Sequence, residues 1–196
     1  MNFASATTPG GGFLEGARAQ EEYLARSSAL HACLRGCRMY AHHRGRQDPF
    51  YDDFVIYSPD VPVFRDDDGH LLDEPWRCTI LTSPAVHAHG VRRHVRSRVG
   101  EIEPVMRRRI GRVLAVAAGH RRRALVLGAW GCGAFGNDAD MVARLFQESL
   151  EGAFARVFSV VVFAVTDWSP ERRFIGPFER RFGLRAPAKD SNTHGR

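Results

Sequence analysis

Two kinds of apolar pattern alternate along the chain. After a turn-forming stretch, Thr7-Thr8-Pro9-Gly10-Gly11-Gly12, the residues Tyr23, Leu24, Ser27, Leu30, His31 and Leu34 recur at spacings of three and four. That periodicity predicts one helix with a single packed face, stopped near Gly36. Residues 41 to 50 are polar and read as a loop. Phe54-Val55-Ile56-Tyr57 and Cys78-Thr79-Ile80-Leu81-Thr82 read as short strands. Asp66-Asp67-Asp68-Gly69 is a turn between them, and Ser83-Pro84 ends the second. A further helix is expected from near Pro104, with Val105, Met106, Ile110, Val113, Leu114 and Ala117 as its apolar face. Ala124 to Gly128 is an apolar strand, followed by a glycine-rich loop from Gly128 to Gly136. Asn137 or Asp138 can cap the next helix, which carries Met141, Val142, Leu145, Phe146 and Leu150. Val157 to Val165 reads as the last strand, apolar on both faces.

Helices alternating with fully apolar strands imply an α/β fold with a mostly parallel sheet. Residues 1–185 form one domain in this reading. Residues 186–196 carry no apolar pattern and are expected to be a disordered tail. Sheets of this class bind ligands at the carboxyl ends of their strands. The loop from Gly128 to Gly136 lies between a strand and a helix, and Gly10 to Gly12 precedes a helix. Glycines there allow backbone to approach a ligand, and N–H groups at a helix start attract anions. Two such loops in a chain of 196 residues suggest a phosphate-bearing ligand.

Composition narrows the class further. The longest apolar run is about half of what a bilayer crossing needs, so no membrane span is expected. The start lacks a basic segment followed by an apolar one, so no secretory signal is read. Four cysteines without a Cys-x-x-Cys pair fit a reduced, cytoplasmic protein. The formal charge is +6, and all but one of the 28 basic residues are arginine. Clusters at Arg107 to Arg109, Arg121 to Arg123 and Arg92 to Arg96 fit either an anionic partner or a coding bias toward arginine. They lack interleaved aromatics, which argues against a general nucleic-acid binder. His87, His89 and His94 have no metal-ligand spacing and read as surface residues.

The sharper feature is Gly10-Gly11-Gly12 followed, after seven residues, by Gln20-Glu21-Glu22. Neighbouring helix residues point about 100° apart, so the two carboxylates cannot do the same work. Alone, the pair also fits ordinary acids in a first helical turn. The motif resembles the catalytic signature of poly(ADP-ribose) glycohydrolases, and the segment from Asn2 to Leu14 is similar to the bacterial type. Residues 57–66, Thr82-Ser83-Pro84-Ala85 and the segment from Leu127 to Asn137 also resemble that family, so the likeness runs to about Phe182.

The resemblance implies a macrodomain-like, three-layer α/β/α sandwich that binds ADP-ribose. It implies hydrolysis of ribose–ribose O-glycosidic bonds in poly(ADP-ribose), with poly(ADP-ribose) or ADP-ribosylated proteins as substrate and no cofactor or metal. Glu22 matches the acid that protonates the leaving oxygen and then activates water. Glu21 matches the residue that holds ribose hydroxyls. Gly10, Gly11 and Gly12 match the loop around the distal ribose and phosphate, and Gln20 belongs to the same motif. Gly131, Cys132, Gly133 and Ala134 match the diphosphate loop, with Asn137 at its end. Phe135 matches an aromatic that positions the distal ribose, and Asn2 a contact to that ribose. Set against the family, the sequence starts on the catalytic segment, and the leading strand and the acidic segment that helps bind adenine are expected either upstream of it or missing from a shortened form. Two other expectations stand beside this one: a non-catalytic ADP-ribose-binding macrodomain, and a hydrolase removing ADP-ribose from another acceptor, protein or nucleic acid.

Overall fold

A computed structural model describes residues 1–183. The expected tail therefore lies outside the described residues. Strand β1 is Asn2–Phe3, and helices α1 (Gln20–Ser27), α2 (Leu30–Leu34) and α3 (Arg38–Arg46) follow. Strands β2 (Ile56–Arg65) and β3 (Leu71–Ser83) form a hairpin. Then come α4 (Ala88–His94), α5 (Ile102–Gly119), β4 (Ala124–Leu127), α6 (Ala139–Glu151), β5 (Val160–Phe163) and α7 (Ile175–Phe182).

One sheet has the order β1-β3-β2, and the other pairs β4 with β5. The pairs β1–β3 and β4–β5 are parallel, as expected. The longest pair, β2–β3, is antiparallel, because the Asp66–Gly69 turn joins two neighbouring strands directly. The two sheets meet near Met1. Its amino group donates to the Val126 carbonyl at 2.9 Å, and the Phe3 ring lies against Gly128.

Alternation along β3 sets the layers. Ile80 faces one core, with Leu30, Leu34, Met39, Tyr40 and Val61 from α2, α3 and β2. Leu81 faces the opposite core, with Met106, Ile110, Val113, Leu145 and Phe146 from α5 and α6. Helices thus lie on both sides of this sheet. On β4–β5 the inward residues Leu125, Leu127, Val161 and Phe163 join the second core. Val126, Val160 and Val162 on the other face stay about half exposed. The expectation of two buried faces fails for β5, because α1 to α3 pack against β1 to β3 and not across it.

The periodicity near the start predicts one helix, and the structure breaks it in two. Ser28 leaves the helical path to form a bridge with Val63, and Ala29 N–H donates to the Pro62 carbonyl. The expected single face is lost, and Tyr23 is half exposed. Residues 38–46 form a helix that overlaps the expected loop. Its buried side is only Met39, Tyr40 and His43, so polar residues dominate the segment. Asp138, rather than Asn137, caps α6 by accepting the Met141 N–H at 2.7 Å. Among the described residues, no helix is long and apolar enough to cross a membrane.

Candidate active site

The cleft lies at the carboxyl end of β4, between the first turn of α1 and the loop Gly128 to Gly136. Its volume is about 300 Å³, and Ser5, Gln20, Glu21, Glu22, Gly131 and Phe135 are among the residues that line it, with Gly133 and Ala134. A larger open hollow of about 480 Å³ sits elsewhere, around Gly100, Glu103, Arg107 and Arg108. There Arg107 is paired with Glu103 and Glu148, so its charge is already answered within the protein. The convergent carboxyls belong to the smaller cleft.

Both glutamates are buried at the start of α1. Glu22 Oε2 accepts the Ala19 N–H and Oε1 accepts the Gly12 N–H, both at 3.0 Å. Glu21 Oε2 accepts the Ser5 N–H at 2.6 Å, and Oε1 accepts from the Asn2 amide at 3.3 Å. Burial pushes the Glu21 carboxyl up to about 7. The donors on Ser5, Asn2 and Gly10 pull it down, and the Glu22 charge adds to the rise. Gly11 takes φ +61°, and a Cβ there would overlap Glu22 Oε1. Only glycine lets the chain pass this close to the two carboxylates.

The second wall is the loop after β4. Gly136 N–H donates to the Gly133 carbonyl, and Asn137 N–H to that of Gly131. Among the described residues, the N–H groups of Gly131, Gly133, Ala134 and Phe135 have no acceptor. Free N–H groups on consecutive loop residues make an anion-binding concavity. Phe135 stacks on His87, with ring centroids 4.8 Å apart.

Several expected residues stand behind the cleft rather than in it. Asn2 is fully buried, and its amide bridges Glu21 and Thr82 Oγ1. Cys132 is turned into the core, with its thiol toward the Trp130 carbonyl and pushed up to about 12 by burial. Asn137 donates Nδ2–H to the carbonyls of Val86 and Gly131 and so closes the loop on itself. Gln20 borders the cleft, but its amide is spent on the Met1 carbonyl and the Phe3 N–H, which locks β1 to α1. Gly10, Gly11 and Gly12 belong to the loop packed against α1, and none of them is among the residues that line the cleft.

Other residues matter that the sequence pattern does not reveal. His87 is half-buried, caps α4 through Nδ1 and backs Phe135, so it is not a bare surface residue. Arg109, from the arginine run, is fully buried. It donates to Asp53 and to the carbonyls of Pro84, Phe50 and Tyr51. His43 reaches the Ala6 carbonyl under the first loop. Two groups bring atoms of metal-ligand type within 4.8 Å of one another: His42, His43 and Asp52, and the exposed Asp66, Asp68 and His70. In the first group His43 Nε2 already accepts the Asp52 N–H, and Arg46 occupies the same Asp52 oxygen as His42.

The family model of the microbial-type PARG catalytic domain matches residues 1–66. A search of curated proteins gives no match. Among solved structures, a poly(ADP-ribose) glycohydrolase from Deinococcus radiodurans in complex with ADP-ribose is 47% identical. The match covers 92% of this chain and 73% of that one, with a TM-score of 0.88. The poly(ADP-ribose) glycohydrolase from Thermomonospora curvata is 54% identical over 92% of this chain and 66% of that one, with a TM-score of 0.87. Its complex with the inhibitor ADP-HPD matches at the same identity and TM-score and covers 69% of that chain.

Proposed function

Because the chain belongs to the microbial-type poly(ADP-ribose) glycohydrolase family, we propose that it hydrolyses ribose–ribose bonds in poly(ADP-ribose) and releases ADP-ribose. The observation that carries this reading is the cleft itself. Two buried carboxyls face a loop with four N–H groups that have no acceptor among the described residues, which suits a sugar linked to a diphosphate. Residues 1–185 act as one catalytic unit. The substrates are poly(ADP-ribose) and proteins that carry it, and the site of action is the cytoplasm, in keeping with four free cysteines.

In this proposal the diphosphate lies on the N–H groups of Gly131, Gly133, Ala134 and Phe135. Phe135, braced by His87, sets the distal ribose against Glu21 and Glu22. Glu22 protonates the oxygen leaving the ribose–ribose bond, and the sugar carbon gains oxocarbenium character. Water then attacks that carbon and gives its proton to Glu22, which restores the acid. One carboxyl thus serves as acid and base in turn. The Gly12 and Ala19 N–H groups hold its two oxygens in place. Burial raises the neighbouring Glu21 carboxyl to about 7, which favours its neutral form beside Glu22. When ionised, Glu21 accepts the ribose hydroxyls. Asn2 orients Glu21, and Asn137 shapes the diphosphate loop. The step uses no cofactor.

Purified chain incubated with poly(ADP-ribose) should release free ADP-ribose, and calorimetry should show ADP-ribose binding. Binding without release would assign the cleft to a non-catalytic module.

A further inference from the structure

Helix α3 contributes nothing to the wall of the cleft, yet two of its side chains end on the loop that carries Ser5. His43 Nδ1 lies 3.3 Å from the Ala6 carbonyl oxygen, and Arg44 Nη1 lies 2.7 Å from that of Thr7. The other ring nitrogen fixes the tautomer. A backbone N–H can only donate, and that of Asp52 reaches His43 Nε2 at 2.9 Å. Nε2 is therefore the acceptor, and Nδ1 carries the proton that points to Ala6. The ring is buried between Tyr51 and Phe54. Asp52 is itself anchored, since its carboxylate meets His42 Nε2 at 2.5 Å and Arg46 Nη1 at 3.0 Å.

From Ala6 the path to the carboxyls is short. Ser5, the preceding residue, gives its N–H to Glu21, and its hydroxyl accepts the N–H groups of Thr7 and Thr8. Gly12, at the far end of the loop, gives its N–H to Glu22. The loop is thus held on its inner side by the two glutamates and on its outer side by α3.

We propose that His43 is a positioning residue for hydrolysis: its Nδ1–H tautomer bridges the Asp52 backbone to the Ala6 carbonyl and fixes the loop against Glu21 and Glu22. The inference rests on the hydrolase reading of the cleft. It also explains why His42, His43 and Asp52 cluster, because each of these groups has its hydrogen-bond partner within the protein.

Two isosteric variants split the ring. His43→Asn keeps a donor near the position of Nδ1, and His43→Gln keeps an acceptor near that of Nε2. Each loses one buried hydrogen bond, so both should lower Tm by similar amounts. His43→Asn should keep kcat on poly(ADP-ribose) within about threefold of the unsubstituted chain, whereas His43→Gln should lower it by roughly tenfold or more. KM and ADP-ribose affinity should stay within about twofold in both, since the diphosphate loop is untouched. Equal kcat values in the two variants, or kcat following Tm in both, would overturn the proposal. A second readout needs no variant. The imidazole nitrogen spectrum of the unsubstituted protein at neutral pH should show His43 as the neutral Nδ1–H tautomer, and an Nε2–H tautomer would overturn the proposal. An unsubstituted chain that shows this tautomer but no polymer hydrolysis would instead refute the hydrolase reading.

Discussion

The amide of Asn2 donates to the carboxylate of Glu21 at 3.3 Å, with both groups buried. The contact joins the first strand to the first helix at the floor of the cleft. It stabilises the ionised form of Glu21 and so opposes the burial that raises its pKa to about 7. Replacing Asn2 by Leu removes that donor. The Glu21 titration should then move to higher pH, as followed by carboxyl carbon NMR. A Glu21 titration unchanged in Asn2→Leu would contradict the contact.

Glu21 also ties stability to pH. Its folded pKa, about 7, lies above its ordinary value of 4.5, so the folded state binds the proton more tightly. This contribution is fully present below pH 4.5 and is lost as pH rises through about 7. The Glu21 part of the change is roughly 3 kcal/mol. Denaturant melts of the unsubstituted chain and of Glu21→Gln across this window should differ in slope, with the variant flatter. Parallel slopes would show that Glu21 titrates alike in both states.

Gly11 and Gly131 should fail differently. Both have positive φ, +61° and +73°. A Cβ on Gly11 would strike Glu22, whereas one on Gly131 would sit 2.5 Å from Ala85 Cβ and 2.6 Å from Asn137 Nδ2. Gly11→Ala should lower kcat by roughly a hundredfold while leaving ADP-ribose affinity nearly intact, because displacement near the reacting groups is costly in rate. Gly131→Ala should chiefly weaken ADP-ribose binding, measured by calorimetry. Loss of the same parameter in both variants would argue against separate roles for the two loops.

Arg109 is a structural cation. Its guanidinium is buried against Asp53 and three carbonyls. Arg109→Met leaves three carbonyls without this donor and Asp53 with Arg108 alone, and should cost about 3–5 kcal/mol in chemical denaturation. Arg112, exposed on the same helix and without an ion pair among the described residues, should tolerate Met with little change. Equal losses in the two variants would remove the special role of Arg109.

Long amphipathic elements are legible in the chain. Helix α6 declares itself through Met141, Val142, Leu145 and Phe146 and through the Asp138 cap, all local signals. Helix α5 does so through Met106, Ile110, Val113 and Leu114. The Gly-Gly-Gly and Gln-Glu-Glu segments are visible as motifs, and the fold brings Glu21 and Glu22 to a cleft shared with Gly131 and Phe135. What stays hidden depends on distant backbone. The partners of His43 are the Ala6 carbonyl, 37 residues away, and the Asp52 N–H. No side-chain pattern encodes them. Helix α3 has a signal, Met39, Tyr40 and His43 on one side, but exposed arginines dilute it. The break at Ser28 is invisible because its cause, the bridge to Val63, lies on another strand.

Hydrolysis turns most directly on Glu22, so the decisive measurement is release of ADP-ribose from poly(ADP-ribose) by the unsubstituted chain and by Glu22→Gln in parallel. Glu22→Gln keeps the shape of the side chain and an acceptor for the Gly12 N–H but cannot exchange a proton. Release should fall by about a thousandfold or more, as expected for loss of the acid–base group, while ADP-ribose still binds within about threefold. Release at an undiminished rate in Glu22→Gln, with the unsubstituted chain active, would contradict the assignment of Glu22 as the acid and base.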